Sequence, residues 1–137
     1  MLNIYKEWLR AANDDLILLN DIIENENITH LIAFHSQQVI EKTLKAYIEY
    51  KNDRVPKIHK IQTLVDMIDL DFSKDDELIQ ILDTLYIESR YPGDMGLLPY
   101  GKPTLNDAKK FYEFAQEVFN KVCKILNISI RELSNEK

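Results

Sequence analysis

Glycine and proline are almost confined to one short segment of this 137-residue chain. All three glycines and three of the four prolines lie between residues 92 and 103. The rest of the chain therefore lacks the residues that most often interrupt helices, which favours long helices over a fold of strands and turns. We predict that the Gly/Pro-rich segment is the one substantial loop, and loops held by a rigid scaffold often carry function.

Apolar side chains recur at intervals of three and four along five segments, as in amphipathic helices. The first three predicted helices cover residues 3–25, 28–50 and 58–70, and Asn27 or Thr29 is available to cap the second. Ser73 is predicted to cap the fourth helix, which ends at Pro92, and Thr104 to cap the fifth. Short connections between helices make antiparallel neighbours. We therefore predict an all-α, up-and-down antiparallel bundle of four long helices and one short helix.

The bundle is expected to form a single domain of residues 1–127, followed by a frayed C-terminal extension of residues 128–137. The apolar stripe of the fourth helix predicts burial of four residues: Leu78, Ile81, Leu82 and Leu85. Phe114 and Phe119 lie off the apolar stripe of the fifth helix, so these extra aromatic side chains need cover. Either other helices nearly encircle the fifth helix, or its aromatic side chains are candidates for burial in a dimer.

Composition limits the classes of protein to which the chain could belong. Apolar residues make up 45% of the chain and charged residues 29%, which is ordinary for a soluble globular protein. No run of about 18 apolar residues is present, so we expect no transmembrane span and no membrane partner. The single cysteine, Cys123, excludes an internal disulfide and fits a reducing compartment. These features predict a cytoplasmic protein.

The charge is unevenly distributed along the chain. A net charge of -6 would repel nucleic acid in bulk. Residues 42–60, however, contain six basic and two acidic side chains, a local net charge of +4. This basic segment indicates either a local anion-binding site or a solvated helix end.

A polar stripe runs along the second predicted helix at intervals of three and four, and residues so spaced are neighbours on one side of a helix. Its members are His35, Gln38, Lys42, Lys45 and Glu49. The stripe could be an ordinary solvated face, a ligand-binding surface, or a buried network that supports the bundle. The sequence leaves open whether Glu41 and Lys42 are exposed or paired in the core.

Several standard sites are excluded by spacing. His30 and His35 are five residues apart, roughly 140° around a helix, so they cannot hold one metal ion from one face. The chain has no glycine-rich phosphate loop, no HExxH motif and no nucleophile elbow. We therefore predict no metal site and no cofactor.

Two arrangements of residues could carry chemistry. Tyr86 and Arg90 are i, i+4 neighbours, and the planar guanidinium suits a phosphate, although an Arg near a helix C-terminus is also favoured by the helix dipole. Arg54 and His59 could pair a phosphate-binding cation with a general acid and base. His59 could equally be a polar cap or packing residue at the start of the third helix.

Three motifs, taken in order, resemble the HEPN domain (higher eukaryotes and prokaryotes nucleotide-binding). They are Phe34-His35-x-Gln37-Gln38-x-x-Glu41-Lys42-x-Leu44-Lys45-Ala46, then His59, then Ser89-Arg90-Tyr91-Pro92. The resemblance covers residues 6–126. It implies a compact helical bundle, commonly dimeric, and in bacteria and archaea often encoded beside a minimal nucleotidyltransferase. Such pairs look like toxin–antitoxin modules. The resemblance also implies either a metal-independent ribonuclease or a non-catalytic domain that binds nucleotides or RNA.

The ribonuclease members of the family carry an Arg, four to six intervening residues and then a His. No histidine occurs in the seven residues after Arg90. Arg54 and His59 have the required spacing, with four residues between them, but they lie at the junction of the second and third helices. The catalytic motif is thus absent from the end of the fourth helix.

Our first hypothesis is a HEPN module that forms a homodimer and binds a nucleotide, RNA or a nucleotidyltransferase partner along the polar stripe. Phosphate would be contacted by Lys42, Lys45 and Arg90. The ligand would be positioned by His35, Gln38 and Tyr86. The alternative is a metal-independent ribonuclease toxin, in which Arg54 stabilises the charge that develops on the phosphate and His59 is the general base and acid.

Overall fold

The computed structural model describes residues 3–90 and 102–135, and the side chains of residues 87–90 and 135 lie outside the description. The predicted Gly/Pro-rich loop falls almost wholly outside the described residues. In these described ranges six α-helices follow one another, with 3₁₀ turns at Glu26–Ile28 and Ser73–Asp75: α1 (Ile4–Ile22), α2 (Thr29–Tyr50), α3 (Ile61–Asp66), α4 (Asp76–Arg90), α5 (Leu105–Leu126) and α6 (Ile130–Asn135). No strand occurs within the described ranges. The predicted all-α bundle with four long helices is confirmed.

Helix α2 lies at the centre of the bundle and contacts α1, α3, α4 and α5. Most of its side chains are buried, including five polar or charged ones besides the N-terminal Thr29: Ser36, Gln37, Glu41, Thr43 and Lys45. A buried charged group is costly unless it is paired and hydrogen-bonded. The charged groups of Glu41 and Lys45 therefore need partners inside the protein, and those partners shape the candidate site.

The predicted helix caps have mixed outcomes. The Oγ1 atom of Thr104 accepts a hydrogen bond from the backbone N–H of Asp107 at 3.0 Å, so the cap of α5 is confirmed. Ser73 was the wrong cap for α4, because it starts a 3₁₀ turn and its own N–H donates to Asp71. The prediction of Asn27 or Thr29 as the cap of α2 is also wrong. Asn25 instead caps the preceding 3₁₀ turn, and α2 begins without a side-chain cap.

The buried face of α4 differs from the predicted one. Ile79 and Leu82 are fully buried, whereas Ile81 is 41% exposed and its predicted burial is wrong. Asp83 and Tyr86 are buried on the same face as Ile79. Two polar residues on the core side weaken the apolar stripe that sequence periodicity detects, which explains the error. The third helix is also shorter than predicted, since α3 covers only Ile61–Asp66.

Phe114 and Phe119 of α5 are buried within one copy of the chain. Phe119 is 0% exposed, and Phe114 is buried with its ring edge-on to Phe72, at a centroid distance of 6.4 Å. Burial of Phe114 and Phe119 in a dimer is therefore a wrong prediction, because the cover that these two rings need comes from the same chain. A dimer of this protein must use other side chains.

The C-terminal residues fold onto α1, so the prediction of a frayed extension is wrong. Asn127 has a left-handed backbone conformation with φ of 55°, which ends α5 and redirects the chain. Leu133 is only 3% exposed, and its carbonyl accepts a hydrogen bond from Arg10 Nε at 3.2 Å. Lys6 Nζ donates to Glu132 Oε1 at 2.8 Å. Helix α6 is thus part of the folded domain.

None of the helices in the described ranges is both long and apolar enough to cross a membrane.

Candidate functional site

A buried carboxylate, that of Glu41, accepts the hydrogen bonds of several polar side chains at the middle of α2. Glu41 is 4% exposed, and its Oε2 atom accepts hydrogen bonds from Lys45 Nζ at 3.0 Å and from His59 Nδ1 at 3.1 Å. Its Oε1 atom accepts from Gln37 Nε2 at 3.3 Å. The Lys45 ammonium also lies 5.5 Å from the centroid of the Trp8 ring. The sequence left the environment of Glu41 open, and the structure places it in the core, paired with Lys45.

The start of α3 is fixed by side chains from two other helices. The Asp83 carboxylate of α4 accepts the backbone N–H of Ile61 at 2.7 Å and that of Gln62 at 3.1 Å. It therefore caps a short helix that has no side-chain cap of its own. Burial raises the pKa of Asp83, although its bonds to the backbone N–H groups act in the opposite direction. From α2, Gln37 Nε2 donates to the carbonyl oxygen of His59 at 2.6 Å.

His59 is consequently held at both its backbone and its side chain. Gln37 binds its carbonyl group and Glu41 binds its Nδ1 atom, yet the imidazole remains 52% exposed. An ionised carboxylate can only accept hydrogen bonds, so Nδ1 carries the proton and Nε2 is left as the second functional atom of the ring. The imidazole is therefore oriented and accessible.

A row of rings connects His59 to α2. The rings of His59 and Tyr86 have centroids 5.6 Å apart, and those of Tyr86 and Phe34 are 5.7 Å apart with an interplanar angle of only 8°. Phe34 also meets His35 edge-on at 5.2 Å. We call His35, Phe34, Tyr86 and His59 the ring cluster. Its two imidazoles and Phe34 are partly accessible, whereas Tyr86 is buried.

A second carboxylate, that of Asp15 in α1, anchors the other imidazole. Asp15 Oδ1 accepts from His35 Nδ1 at 2.9 Å, and Asp15 Oδ2 accepts from Lys42 Nζ at 2.7 Å. Burial acts to raise the pKa of Asp15, but the hydrogen bonds and positive charges of His35 and Lys42 outweigh it and lower that pKa overall. Asp15 is therefore ionised at neutral pH and joins α1 to the polar stripe of α2.

The connection between α2 and α3 supplies exposed positive charge beside the ring cluster. Arg54, Lys57 and Lys60 are all exposed. None of the three forms an ion pair with a carboxylate in the part of the chain that the structure describes. A cation that is not already paired is available to a phosphate group. This connection is therefore the part of the basic segment best suited to bind an anion.

The structure brings together several of the residues that the sequence hypothesis assigned to ligand binding, but it pairs two of them with carboxylates of the protein. His35 and Tyr86 belong to the ring cluster, and Gln38 joins the network around Glu41. Lys42 and Lys45 direct their ammonium groups at carboxylates, and the Lys45 side chain is only 5% exposed. Both lysines therefore serve to position other groups in this conformation.

The two arginines of the sequence hypotheses have different standings in the structure. Arg54 is exposed on the α2–α3 connection, and no hydrogen bond joins it to His59 among the residues described. Arg90 is the last residue of α4, and its side chain lies outside the described residues. The proposed phosphate contact of Arg90 therefore stays a prediction.

Sequence reasoning gave no role to three residues on which the site depends: Gln37, Glu41 and Asp83. Gln37 and Glu41 stand in the motif that resembles the HEPN domain, but local spacing could not reveal their bonds to His59, which lies 22 and 18 residues further on. Asp83 lies on the buried face of α4, four residues after Ile79. If the buried face of α4 had been identified correctly from the sequence, a carboxylate on that face would have indicated that Asp83 has a partner in the core.

A groove of about 340 Å³ between α1 and α5 is a second concave region, lined mainly by amide and apolar side chains: Asn13, Leu16, Ile17, Asn20, Asp21, Gln116, Phe119, Asn120 and Ile130. None of the described residues that line this groove is a cation, so the groove is poorly suited to a phosphate. The described residues also contain no group of three or more His, Cys, Asp or Glu side chains that could hold a metal ion. The ring cluster and the neighbouring cations therefore form the candidate site.

Comparison with known proteins agrees with this fold. The sequence model of a family described as "HEPN domain" matches residues 5–126. The crystal structure of TT1696, a protein of Thermus thermophilus, superposes with a TM-score of 0.71 at 23% sequence identity. The match covers 90% of this chain and 98% of the other. No curated protein sequence matches the chain.

Proposed function

This chain belongs to the HEPN domain family, and on that premise we propose that it is a nucleotide- or RNA-binding module. The observation that carries the proposal is the ring cluster at the edge of the bundle, with exposed cations beside it. Single-stranded nucleic acid is bound by this combination, because aromatic side chains stack on bases while basic side chains contact the phosphates. The net negative charge of the chain disfavours a broad duplex interface, so a short single strand or a mononucleotide is the fitting ligand.

Each part of the site has a distinct role in this proposal. Phe34 and His59 offer ring faces and edges to a base, and Tyr86 supports them from beneath. Arg54 and Lys57 contact phosphates, together with Arg90 as the sequence motif suggests. The two lysines of the polar stripe, which the sequence hypothesis assigned to phosphate, instead orient the carboxylates that hold the imidazoles.

Fluorescence anisotropy with a labelled single-stranded RNA tests the binding role. Base–aromatic stacking is worth about 1–3 kcal/mol per base, so Phe34→Ala should weaken binding by roughly 5- to 160-fold. Lys57→Ala should weaken binding less and reduce its salt dependence. Tyr50→Ala is the matched control, because Tyr50 is an exposed aromatic residue of α2 outside the ring cluster. Absence of binding, or equal losses in the Phe34 and Tyr50 variants, would contradict the proposal.

We further propose that the protein acts as a homodimer and pairs with a nucleotidyltransferase-type protein, as in a toxin–antitoxin system. HEPN domains often form dimers, and apolar side chains remain exposed on α1 and at the start of α2: Ile17, Leu18 and Leu31. Light scattering coupled to size-exclusion chromatography should give twice the 16.1 kDa mass of the chain. A monomer at micromolar concentration would refute the dimer.

One observation favours the alternative of a metal-independent ribonuclease: the bond between Glu41 and His59. A carboxylate that holds one imidazole nitrogen and leaves the other accessible is the usual arrangement of a histidine general base. In this reaction His59 would take the proton of the attacking 2′-hydroxyl and then give it to the leaving 5′-oxygen, and Arg54 would stabilise the charge that develops on the phosphate. Incubation with labelled total RNA in EDTA should then give cleavage that His59→Ala abolishes while RNA binding persists. Intact RNA with the wild-type protein would exclude the ribonuclease.

A further inference from the structure

The orientation of one side-chain amide next to the ring cluster is set by a chain of hydrogen bonds. The chain starts at two groups that can only accept, the Glu41 carboxylate and the carbonyl oxygen of His59. Gln37 Nε2 lies 3.3 Å from the first and 2.6 Å from the second, so the nitrogen of the Gln37 amide must face them. The Oε1 atom of Gln37 therefore points the other way, toward Gln38.

Gln38 is oriented in turn by Gln37. Its Nε2 atom lies 2.7 Å from Gln37 Oε1 and 3.5 Å from Glu41 Oε1, and both of these oxygens are acceptors. If the Gln38 amide were flipped, its oxygen would face both Gln37 Oε1 and Glu41 Oε1, and no hydrogen bond could form. The two N–H groups of Gln38 are thus used inside the protein, and only its carbonyl oxygen is left to interact with a ligand.

That oxygen is accessible. Gln38 is half-buried, and within the described ranges its Oε1 atom has no hydrogen-bond partner. The same atom is not among the fully buried polar atoms that lack a partner. Gln38 lies one helical turn after Phe34 on the same side of α2. A pure hydrogen-bond acceptor therefore stands beside the rings on which a base would stack.

We propose that Gln38 determines base specificity, selecting nucleobases that carry an exocyclic amino group. The inference rests on the proposed function, since it needs a base at the ring cluster. The amino group of adenine or cytosine would donate to Gln38 Oε1. Uracil presents carbonyl oxygens at its edge on both sides of its one N–H, so its oxygens would meet the Gln38 oxygen and the negative charge of Glu41. A site that accepts from an amino group discriminates against analogues that lack it.

The test compares two oligomers that differ only in the amino group. Fluorescein-labelled 2′-O-methyl octamers of adenosine and of purine riboside have the same ring system, but purine riboside lacks the 6-amino group. The 2′-O-methyl group also prevents cleavage through the 2′-oxygen. We expect the wild-type protein to bind the adenosine octamer roughly three- to tenfold more tightly, as one net hydrogen bond provides.

Two variants assign the preference to its atom. Gln38→Met removes the acceptor and should give both octamers the same affinity. Gln62→Met is the matched control, because the Gln62 amide is exposed and donates to Asp66 away from the ring cluster. The Gln62→Met variant should keep the wild-type preference for the adenosine octamer. Equal wild-type affinities for the two octamers would overturn the inference but leave the binding function intact. A preference that survives in Gln38→Met would also overturn it. Failure to bind either octamer would refute the proposed function and the inference together.

Discussion

Replacing Glu41 by Met should destabilise the protein strongly, because it leaves a buried charge unpaired. The Lys45 side chain is only 5% exposed, and its ammonium lies 3.0 Å from Glu41 Oε2. Met keeps most of the side-chain volume, so little cavity forms and the loss is mainly electrostatic. Removing one partner of a buried pair costs about 3–5 kcal/mol. The nearby Trp8 ring, which contributes about 0.5–2 kcal/mol as a cation–π partner, reduces but does not remove this cost.

Urea unfolding followed by circular dichroism measures the effect. With a slope of about 2 kcal/mol per molar urea, the midpoint should fall by roughly 2 M. Trp8 is the only tryptophan and lies 5.5 Å from Lys45 Nζ, so its emission provides a second probe beside the network. The control is Glu24→Met. Glu24 pairs with Lys109 on the surface, where both side chains are well exposed, so its loss should cost less than about 1 kcal/mol.

The double variant Glu41→Met/Lys45→Met distinguishes a paired charge from mere packing. Replacing both members of a buried ion pair by apolar residues of similar size is often neutral or stabilising. We therefore expect the double variant to be more stable than Glu41→Met alone. If the losses of the two single variants simply add in the double variant, the residues do not interact and the reasoning about the network is refuted.

Two further predictions concern other parts of the fold. Against the effect of burial, the bonds of Asp15 to His35 and Lys42 lower the pKa of Asp15 in the folded protein. These bonds therefore contribute fully to the free energy of unfolding above the ordinary carboxyl pKa of 3.8, and the contribution is lost as the pH falls through the pKa of the folded protein. Asp15→Asn should therefore cost about 1–3 kcal/mol in urea unfolding at pH 7 and progressively less as the pH falls below 3.8. A cost that does not depend on pH would contradict the assignment. Leu133→Ala should cost about 2–5 kcal/mol, because Leu133 is 3% exposed against α1, and a change below 0.5 kcal/mol would mean that α6 is frayed in solution.

Features that depend on neighbours in sequence were predicted from the chain, whereas features that depend on distant residues were not. Thr104 bonds the N–H only three residues further on, so its pattern suffices to identify the cap of α5. Ser73 presents the same kind of pattern, but Asp71 takes its N–H and a 3₁₀ turn begins there. The capping preference of Ser73 was therefore overridden by the geometry of the connection between α3 and α4.

Long-range pairing explains what sequence reasoning missed at the site. Lys45 follows Glu41 by four residues and could be recognised as its helical neighbour, yet nothing local shows that both are buried. Glu41 and Lys45 are buried because α2 lies at the centre of the bundle, and the periodicity of apolar residues does not show which helix is central. Phe119, which lies off the apolar stripe of α5, was similarly expected to need cover from other helices or from a dimer partner, because only the assembled bundle decides which of the two covers it.

The central claim is that the ring cluster binds a nucleotide or a single strand of RNA, and mapping by ¹H–¹⁵N NMR tests it most directly. Unlabelled single-stranded RNA is titrated into ¹⁵N-labelled protein in EDTA. The account predicts that the largest shifts belong to the backbone amides of Phe34, Gln38 and His59 and to the side-chain amide of Gln38. Largest shifts at Asn20 and Asn120 in the groove between α1 and α5, or no shifts at all, would contradict it.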